Sequence, residues 1–472
     1  MMKKSEKLEV RGQKGDQSES FSLPNSHFSL PKQRFPEFRK AEGWKLVTLG
    51  KASVPVAERV GQRKLTPVSI SAGIGFVPQS EKFGRDISGN QYQLYTLVRD
   101  GDFVFNKGNS LKFPEGCVYL LQGWGQVAAP NVFICFRLKD DYSNGFFQQC
   151  FEQNQHGRQL KRHITSGARS NGLLNISKET FFGVEIPTPS HAEQKKIAEC
   201  LRSVDELITA QVQKVDALKT HKKGLLQKLF PPVKVSGSKN LEERSEAKKI
   251  KNIEETSEKI SESFSIQNSN FSIPPLRFPE FQNDGEWELK AIGDVFRVTR
   301  GDVLSMTLVK DEPSDEAPFP VYSSQTKNKG LAGYYSEHLY EDAITWTTDG
   351  ANAGDVNFRP GKFYCTNVCG VLITTNGHAN ACIAALLNTV TRGHVSYVGN
   401  PKLMNGVMAK IEIPFPPVPE QERIASCLSS LDALITAETQ KHEAFKTHKK
   451  GLMQCLFPAE KEIENLEGRI VK

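Results

Sequence analysis

The most regular pattern of hydrophobic and polar positions runs through residues 193–229. Apolar residues recur there at alternating spacings of four and three. This seven-residue period predicts a long helix with one apolar stripe, as in a coiled coil. Glu193 lies in the first turn, where an acid suits the positive end of the helix dipole, and Pro231 ends the helix because proline cannot continue it. About 37 residues at 1.5 Å each predict a rod about 55 Å long.

The same pattern occurs a second time near the end of the chain. Residues 186–231 and 413–458 align without a gap and are identical at about 29 of about 46 positions. One such helix alone would leave its stripe in water, so we expect the two helices to pack together, antiparallel if a twofold axis relates them. The predicted stripe positions are Ile197, Leu201, Val204, Ile208, Val215, Leu218 and Leu225 in the first helix and Ile424, Leu428, Leu431, Ile435, Phe445 and Leu452 in the second.

Polar residues interrupt both stripes at equivalent positions. Gln211 in the first copy corresponds to Glu438 in the second, and Lys222 corresponds to Lys449. Such residues either fix the register of a helix pair, face a partner or form a solvated stretch of the stripe. The sequence leaves these alternatives open.

A second repeated block lies upstream of each helix. Residues 20–38 are similar to residues 263–281, and each copy leads into a tryptophan, Trp44 or Trp287. Between these heads and the helices, the two copies share little obvious sequence. A repeated frame around two divergent inserts is what two different binding specificities would require.

The divergent regions have the pattern of mixed α+β domains. Short apolar segments bounded by Gly, Asn, Asp and Pro predict strands joined by turns. They are residues 117–121, 132–138, 343–348 and 368–374. The expected fold class is therefore α+β, with two mixed α/β domains (residues 34–185 and 277–412) separated by two long helices (residues 186–231 and 413–458) that form an antiparallel coiled coil with a pseudo-twofold internal repeat.

The other segments are polar. Residues 233–263 are dominated by Lys, Glu and Ser and cannot bury enough apolar surface to fold independently. We therefore assign residues 1–33 as an N-terminal polar extension, residues 232–276 as a charged linker with a second polar extension, and residues 459–472 as a tail.

Composition narrows the class of protein further. The chain has 472 residues and a formal net charge of +7, which hints at a polyanionic partner. Nine cysteines without CxxC pairs suit a reducing compartment. No apolar run is long enough to span a membrane, and none follows Lys3 and Lys4 as in a secretory signal. We therefore expect a cytoplasmic protein.

The sequence lacks the motifs of enzymes that modify DNA. Residues 230–233 and 415–418 contain the paired prolines of an adenine methyltransferase loop, but not the polar residue before them or the aromatic residue after them. The glycines of residues 72–75 predict a turn, and no GxxxxGK[ST] loop is present. Cys365, Cys369 and His378 lack a clear fourth metal ligand, and alternation along strands explains them better. We predict no catalytic residue and no metal site.

Three motifs, each present twice and in the same order, resemble those of the specificity subunit of type I restriction–modification systems. The helix entry reads IPxPxxxEQxxIAxxL, and the helix exit reads HKKGLxQxLFP at residues 221–231 and 448–458. The head reads PEF…GW…LG, with Pro36, Glu37, Phe38, Trp44, Leu49 and Gly50 in the first copy and Pro279, Glu280, Phe281, Trp287, Ile292 and Gly293 in the second, where glutamate precedes the tryptophan and isoleucine replaces leucine.

This resemblance implies a non-catalytic subunit that recognises double-stranded DNA. Each of two target-recognition domains would read one half of a bipartite target. The paired helices would set the half-site separation and dock two methyltransferase subunits, and restriction subunits would then join. S-adenosylmethionine, ATP and Mg are implied for the partner subunits and no cofactor for this chain. The resemblance supplies no fixed set of base-contacting residues.

Candidate DNA contacts come from residue type alone. Phosphates attract Lys and Arg, and base edges accept contacts from Arg, Lys, Asn, Gln, Ser and Thr on loops. For any single residue, a solvated surface charge is an equally good interpretation, and residues 347–350 fit a turn better. The candidates are Asn106, Lys107, Arg158, Lys161, Arg162, His163, Arg169 and Asn171 in the first domain and Ser324, Gln325, Thr326, Lys327, Asn328, Lys329, Arg392 and Lys402 in the second.

Two other classes of protein compete with a DNA-reading subunit. A DNA-modifying enzyme with cryptic motifs would explain the positive charge but not the doubled frame. A structural coiled-coil scaffold would explain the helices but would leave two large, different domains without a role. The DNA-reading subunit accounts for the frame, the divergent inserts, the missing motifs and the charge together.

Overall fold

The computed structural model describes residues 31–108, 113–164, 174–231, 273–324 and 327–458. The chain forms two compact units. The first comprises residues 1–210 and 442–472, and the second comprises residues 211–441. Each unit therefore contains one divergent region together with a part of each long helix.

The first unit carries short strands joined by turns and short helices. The turn at residues 72–75 is confirmed, with Gly73 and Gly75 at positive φ between the third and fourth strands. The strands are β1 Lys45–Thr48, β2 Ser53–Pro55, β3 Thr66–Ser71, β4 Gly75–Pro78, β5 Thr96–Arg99, β6 Asp102–Asn106, β7 Cys117–Leu120, β8 Gln126–Ala129, β9 Ile134–Leu138 and β10 Glu185–Thr188. The short helices are α1 Leu49–Ala52, α2 Gln79–Phe83, α3 Asn144–Glu152, α4 Gln155–Leu160 and α5 Lys178–Phe182.

Two four-stranded sheets form the body of this unit, in the orders β2-β9-β6-β7 and β4-β3-β8-β5. Strands β7 and β9 confirm the strands predicted at residues 117–121 and 132–138. Aromatic side chains of β6 and β9 pack against α3 and α5, and Phe105 stacks on Phe181 with ring centroids 4.4 Å apart. Helix α3 begins where Ser143 Oγ accepts the N–H of Phe146. The pair β1–β10 is antiparallel and closes the region at the entry to the long helix.

The second unit is built on one larger sheet. Its order is β12-β17-β15-β16-β13-β14, and the pair β13–β16 is parallel. The strands are β11 Glu288–Ala291, β12 Arg297–Arg300, β13 Phe319–Tyr322, β14 Leu331–Tyr335, β15 Tyr340–Thr347, β16 Val356–Cys365, β17 Cys369–Ile373 and β18 Glu412–Phe415. The short helices are α7 Ile292–Val295, α8 Ala381–Val390 and α9 Asn405–Met408.

Strands β15 and β17 confirm the strands predicted at residues 343–348 and 368–374. Trp346 of β15 is buried over Gly370 of β17, where an added Cβ would lie 2.1 Å from the indole ring. Glycine is therefore required at position 370. The indole Nε1 of Trp346 donates to the carbonyl of Leu403 at 3.0 Å, and the pair β11–β18 closes this region as β1–β10 closes the first.

The two long helices are confirmed with bounds close to the predicted ones. They are α6 His191–Leu229 and α10 Val418–Leu456, each of 39 residues. Pro419 is the second residue of α10, where no intrahelical N–H bond is lost. Every predicted stripe residue is buried or half-buried. Among the described helices, none is both long and apolar enough to cross a bilayer.

Ion pairs in the second unit show that α6 and α10 run antiparallel. Lys214 Nζ lies 2.5 Å from Glu438 Oε1, and Lys222 Nζ lies 2.5 Å from Asp432 Oδ1, so higher numbers in α6 meet lower numbers in α10. Gln211 Nε2 donates to the backbone carbonyl of Glu438 at 2.8 Å. Gln211 and Glu438 occupy equivalent positions of the two repeats, and their direct contact is what a twofold-related pair produces. These polar stripe positions therefore hold the register.

The first unit repeats one of these contacts. Lys449 Nζ lies 2.8 Å from Asp205 Oδ1, which is the repeat equivalent of the Lys222–Asp432 pair. Lys449 also lies 2.9 Å from Glu152 of α3. The internal repeat therefore extends from sequence to individual contacts.

A buried ion pair attaches each head to the start of its own helix. In the second unit, Arg277 Nη2 lies 2.6 Å from Glu420 Oε2, and these side chains are only 4% and 1% exposed. In the first unit, Arg34 Nη2 lies 2.5 Å from Glu193 Oε2. The guanidinium also donates to backbone carbonyls of its own head, those of Asp284 and Gly285 in the second unit. The first-turn acids predicted from the helix dipole thus have a second role as anchors.

Each head also binds the far end of the other helix. The N–H of Leu276 donates to the carbonyl of Lys228 in α6 at 2.9 Å, and the N–H of Gln33 donates to that of Cys455 in α10 at 3.0 Å. In the first unit, Phe457 stacks on Phe146 with centroids 5.3 Å apart. The end of α10 therefore belongs to the core of the first unit.

We expect Arg277→Ala to destabilise the second unit by about 3–5 kcal/mol, because it leaves the carboxylate of Glu420 buried without its partner. The measurement is the free energy of unfolding from urea titration. The matched control is Arg423→Ala, which removes the pair with Glu280 one helical turn away, where both side chains are about half exposed (49% and 47%). That variant should cost at most about 1 kcal/mol. Equal losses in both variants would contradict the anchoring role of Arg277.

A buried histidine gives the first unit a distinct pH dependence. His156 of α4 packs edge-on against Phe105 and Phe151 and is only 2% exposed. Burial lowers the pKa of His156 from 6.5 to about 4. Below pH 6.5 the unfolded chain therefore binds a proton that the folded unit does not.

We expect the free energy of unfolding of the first unit to fall by about 3 kcal/mol more in the native chain than in His156→Leu as the pH drops from 6.5 to about 4. Urea titrations at several pH values measure this difference. His163→Leu, at an exposed position, serves as the control and should follow the native chain. A parallel pH dependence in His156→Leu and the native chain would refute the role of His156.

Candidate nucleic-acid interface

Two of the predicted contacts in the first domain lie at the end of β6. The amide of Asn106 is buried, with Nδ2 donating to the carbonyl of Ile70 at 2.8 Å and Oδ1 accepting from the N–H of Gly108 at 2.7 Å. An amide that is buried and already makes two hydrogen bonds cannot reach a base edge. Asn106 therefore has a structural role instead. Lys107 is half-buried, and its backbone carbonyl accepts from Leu174 at 2.8 Å.

Four other predicted residues of this domain lie on one exposed segment. Arg158 is in α4, and Lys161, Arg162 and His163 form the 3-10 turn that follows it. All four are exposed. Arg158 Nη2 donates to the carbonyl of Gln153 at 3.3 Å. Arg169 and Asn171 lie outside the described residues. A role of these four residues in DNA contact stays a prediction.

The predicted loop of the second domain joins β13 to β14. Ser324 is half-buried, Gln325 and Thr326 lie outside the described residues, and a tight turn follows at Lys327–Gly330. Asn328 and Lys329 are exposed and have φ values of 50° and 53°. Two consecutive non-glycine residues in the left-handed region mark a strained turn.

The other two predicted residues of this domain are exposed but paired with acids. Arg392 Nη2 lies 2.9 Å from Asp355 Oδ1, and Lys402 Nζ lies 3.7 Å from Asp349 Oδ1. Asp349 also lies 3.3 Å from Arg300 Nη2. The acids offset part of the positive charge here, and a role of these cations in DNA contact stays a prediction.

The segment between the predicted contacts Arg392 and Lys402 forms an exposed hairpin. Ser396 and Lys402 exchange backbone hydrogen bonds at 2.9 Å, and the N–H of Gly350 donates to the carbonyl of Pro401. Val398 at the tip is 93% exposed. The turn predicted at residues 347–350 lies at residues 351–354 instead, because Thr347 ends β15 and Asp349 forms a backbone bridge with Lys402 of the hairpin.

A polar cleft of about 290 Å³ lies beside the strained turn. Its lining includes Ser323, Lys329, Asn352, Asp355, Asn357 and Arg359. Amide, hydroxyl, carboxylate and cationic groups thus meet in one place. Such a set can both donate and accept hydrogen bonds, as recognition of a base edge requires.

Arg359 of β16 was also missed by sequence reasoning. It is only 6% exposed, and its guanidinium lies 3.7 Å from the ring centroid of Tyr322. Its Nε donates to Thr345 Oγ1 at 3.0 Å and its Nη2 to the carbonyl of Lys329 at 2.7 Å. Burial lowers the pKa of Arg359. The available signal was a cation within a strand. The partners of Arg359 come from separate parts of the chain, so the sequence around it does not reveal them.

The sulfur and imidazole groups considered for a metal site have other surroundings. Cys365 and Cys369 are buried in β16 and β17, and His378 Nδ1 lies 2.9 Å from Gln421 Nε2. In the described parts of the chain, no group of three or more His, Cys, Asp or Glu side chains could hold a metal ion.

Comparison with known proteins reveals relatives of one kind. A protein of Mycoplasma pneumoniae described as the N-terminus of a type I specificity subunit is 40% identical over 142 residues, or 29% of this chain and 74% of that protein. The type I restriction enzyme MjaVIII specificity subunit of Methanocaldococcus jannaschii is 25% identical over 326 residues, or 64% of this chain and 68% of that protein. Matches to other M. pneumoniae specificity subunits span between 43% and 62% of those proteins.

A solved structure shares the fold. The crystal structure of the type I restriction–modification S subunit from M. genitalium matches 92% of this chain and 100% of that chain, with a TM-score of 0.54 at 15% identity. The family model of the type I restriction modification DNA specificity domain matches residues 97–220 and 284–446. These two segments cover most of both divergent regions and of both long helices. The chain therefore belongs to the type I restriction modification DNA specificity family.

Proposed function

We propose that this chain reads a split DNA target, with one half-site recognised by each divergent domain. Membership of the DNA specificity family makes it a non-catalytic DNA-recognition protein. The proposal of a target with two half-sites rests on one observation, which is the repetition of the same frame around two unlike inserts. The same head contacts and closing strand pairs enclose two four-stranded sheets in one unit and a six-stranded sheet in the other. Two different surfaces on equivalent supports suit two different half-sites.

The partners proposed for the chain are two methyltransferase subunits and, beyond them, restriction subunits. Leu207 of α6 and Leu434 of α10 occupy equivalent positions of the two repeats and are both exposed. Equivalent apolar positions on both helices suit two identical partners, since each would meet the same side chain. S-adenosylmethionine, ATP and Mg would be bound by those partners, and the complex would act in the cytoplasm.

Replacing residues 44–185 with the corresponding domain of another family member should change one half of the recognised sequence and leave the other half intact. Each domain would contact only its own half-site, so exchange of one set of contacts cannot alter the other. The measurement is sequencing of the sites methylated by the assembled complex. The matched control is exchange of residues 287–412, which should change the opposite half. A target that is unchanged, or changed in both halves, would contradict the proposal.

Inserting seven residues into each long helix should alter the half-site separation without altering half-site identity. Seven residues add about 10.5 Å of helix and preserve the stripe, a length equal to about three base pairs. Methylation-site sequencing again provides the measurement.

The control for this insertion is a seven-residue insertion after residue 240, in the charged linker, which leaves both helices unchanged. It should preserve the native separation. If both insertions left the separation unchanged, the helices would not act as the spacer.

A further inference from the structure

Asn328 and Lys329 form a turn in the left-handed region. Both have φ near +50°, and Gly330 follows with φ of 89°. Asparagine adopts this region more readily than most residues, whereas lysine is disfavoured there, and a disfavoured conformation persists where the surroundings hold it in place. The turn is therefore one that its surroundings hold, with Asn328 and Lys329 both exposed.

The turn is held from beneath by Arg359. The guanidinium donates to the carbonyl of Lys329 and to Thr345 Oγ1 and stacks on Tyr322. The N–H of Ser323 donates to the carbonyl of Gly330 at 2.8 Å and closes the base of the loop. These partners of Arg359 are neutral groups, although a buried cation normally has an anionic partner. The guanidinium therefore supports the turn and leaves its positive charge beneath the cleft.

The exposed side chains of this turn have the chemistry of base recognition. The amide of Asn328 offers a donor and an acceptor together, which matches N7 and N6 of adenine in the major groove. Lys329 lines the polar cleft beside Asn352 and Asn357 and adds a cation that suits guanine or a phosphate. A contact to phosphate alone would need only the cation and not the amide of Asn328.

We propose that the Asn328–Lys329 turn determines specificity in the second half-site, that Asn328 contacts the edge of an adenine, and that Arg359 is the positioning residue for this turn. The inference rests on the proposed reading of a split target. To that proposal it adds which element of the second domain contacts a base and which base is contacted.

The principal test is Asn328→Gly, since glycine adopts the left-handed turn freely and removes only the amide. The native complex with its methyltransferase subunits methylates duplexes in which the second half-site is randomised and the first is fixed. Asn328→Gly should relax one adenine position of the second half-site by about tenfold to a hundredfold and leave the first half-site unchanged. Asn376→Gly, at an exposed position of the same domain, is the control and should retain native selectivity. Native selectivity in Asn328→Gly would overturn the proposal.

A double variant separates positioning by Arg359 from direct DNA contact. Lysine keeps the positive charge of Arg359 but cannot make both of its hydrogen bonds at once, so Arg359→Lys should relax the same position as Asn328→Gly. The two changes combined should relax that position no further than Asn328→Gly alone, because both act through the amide of Asn328. Additive losses, with native thermal unfolding of all three variants, would contradict the positioning role.

These outcomes are distinct from failure of the proposed function. If the native complex methylated duplexes whatever the sequence of either half-site, the proposal that the chain reads a split target would itself be wrong. If it required both half-sites while Asn328→Gly matched it at every position, only the present inference would be wrong.

Discussion

A buried arginine–glutamate pair at the start of each long helix is the interaction on which the architecture depends. Arg34 with Glu193, and Arg277 with Glu420, connect a head to the first turn of its own helix. The residue before each arginine donates to the last turn of the other helix. Around each guanidinium, three segments that are distant in sequence therefore meet: a head, the first turn of its own helix and the last turn of the other helix. The two heads thereby hold the paired helices in register.

The same frame supports two different sheets because each insert is closed in the same way. A head strand pairs antiparallel with the strand that enters the long helix, in β1–β10 and in β11–β18. Everything between these strands can change without altering the helix entry. The frame therefore separates two tasks: the heads and helices fix geometry, and the enclosed sheets are free to differ in the surfaces that they present.

Sequence reasoning predicted the helices and several strands because their signals are local. The stripe of α6 and α10 repeats every seven residues, and segments such as residues 117–121 and 368–374 are bounded by turn residues. The candidate site was less predictable. The burial of Asn106 has no local signal, because its partners Ile70 and Gly108 are recognisable only after folding. Arg359 was missed for the same reason, because its contacts lie on other strands and loops.

The location of Phe457 has a consequence for how the chain is made. This residue and Leu456 belong to the core that also contains Trp44 and Phe146. The first unit therefore cannot complete its core during synthesis until residue 457 has emerged, although its sheets are translated early. Contacts of such long sequence separation are slow to form. Until then, a nascent chain would leave an aromatic cluster exposed, which is the kind of surface that promotes aggregation.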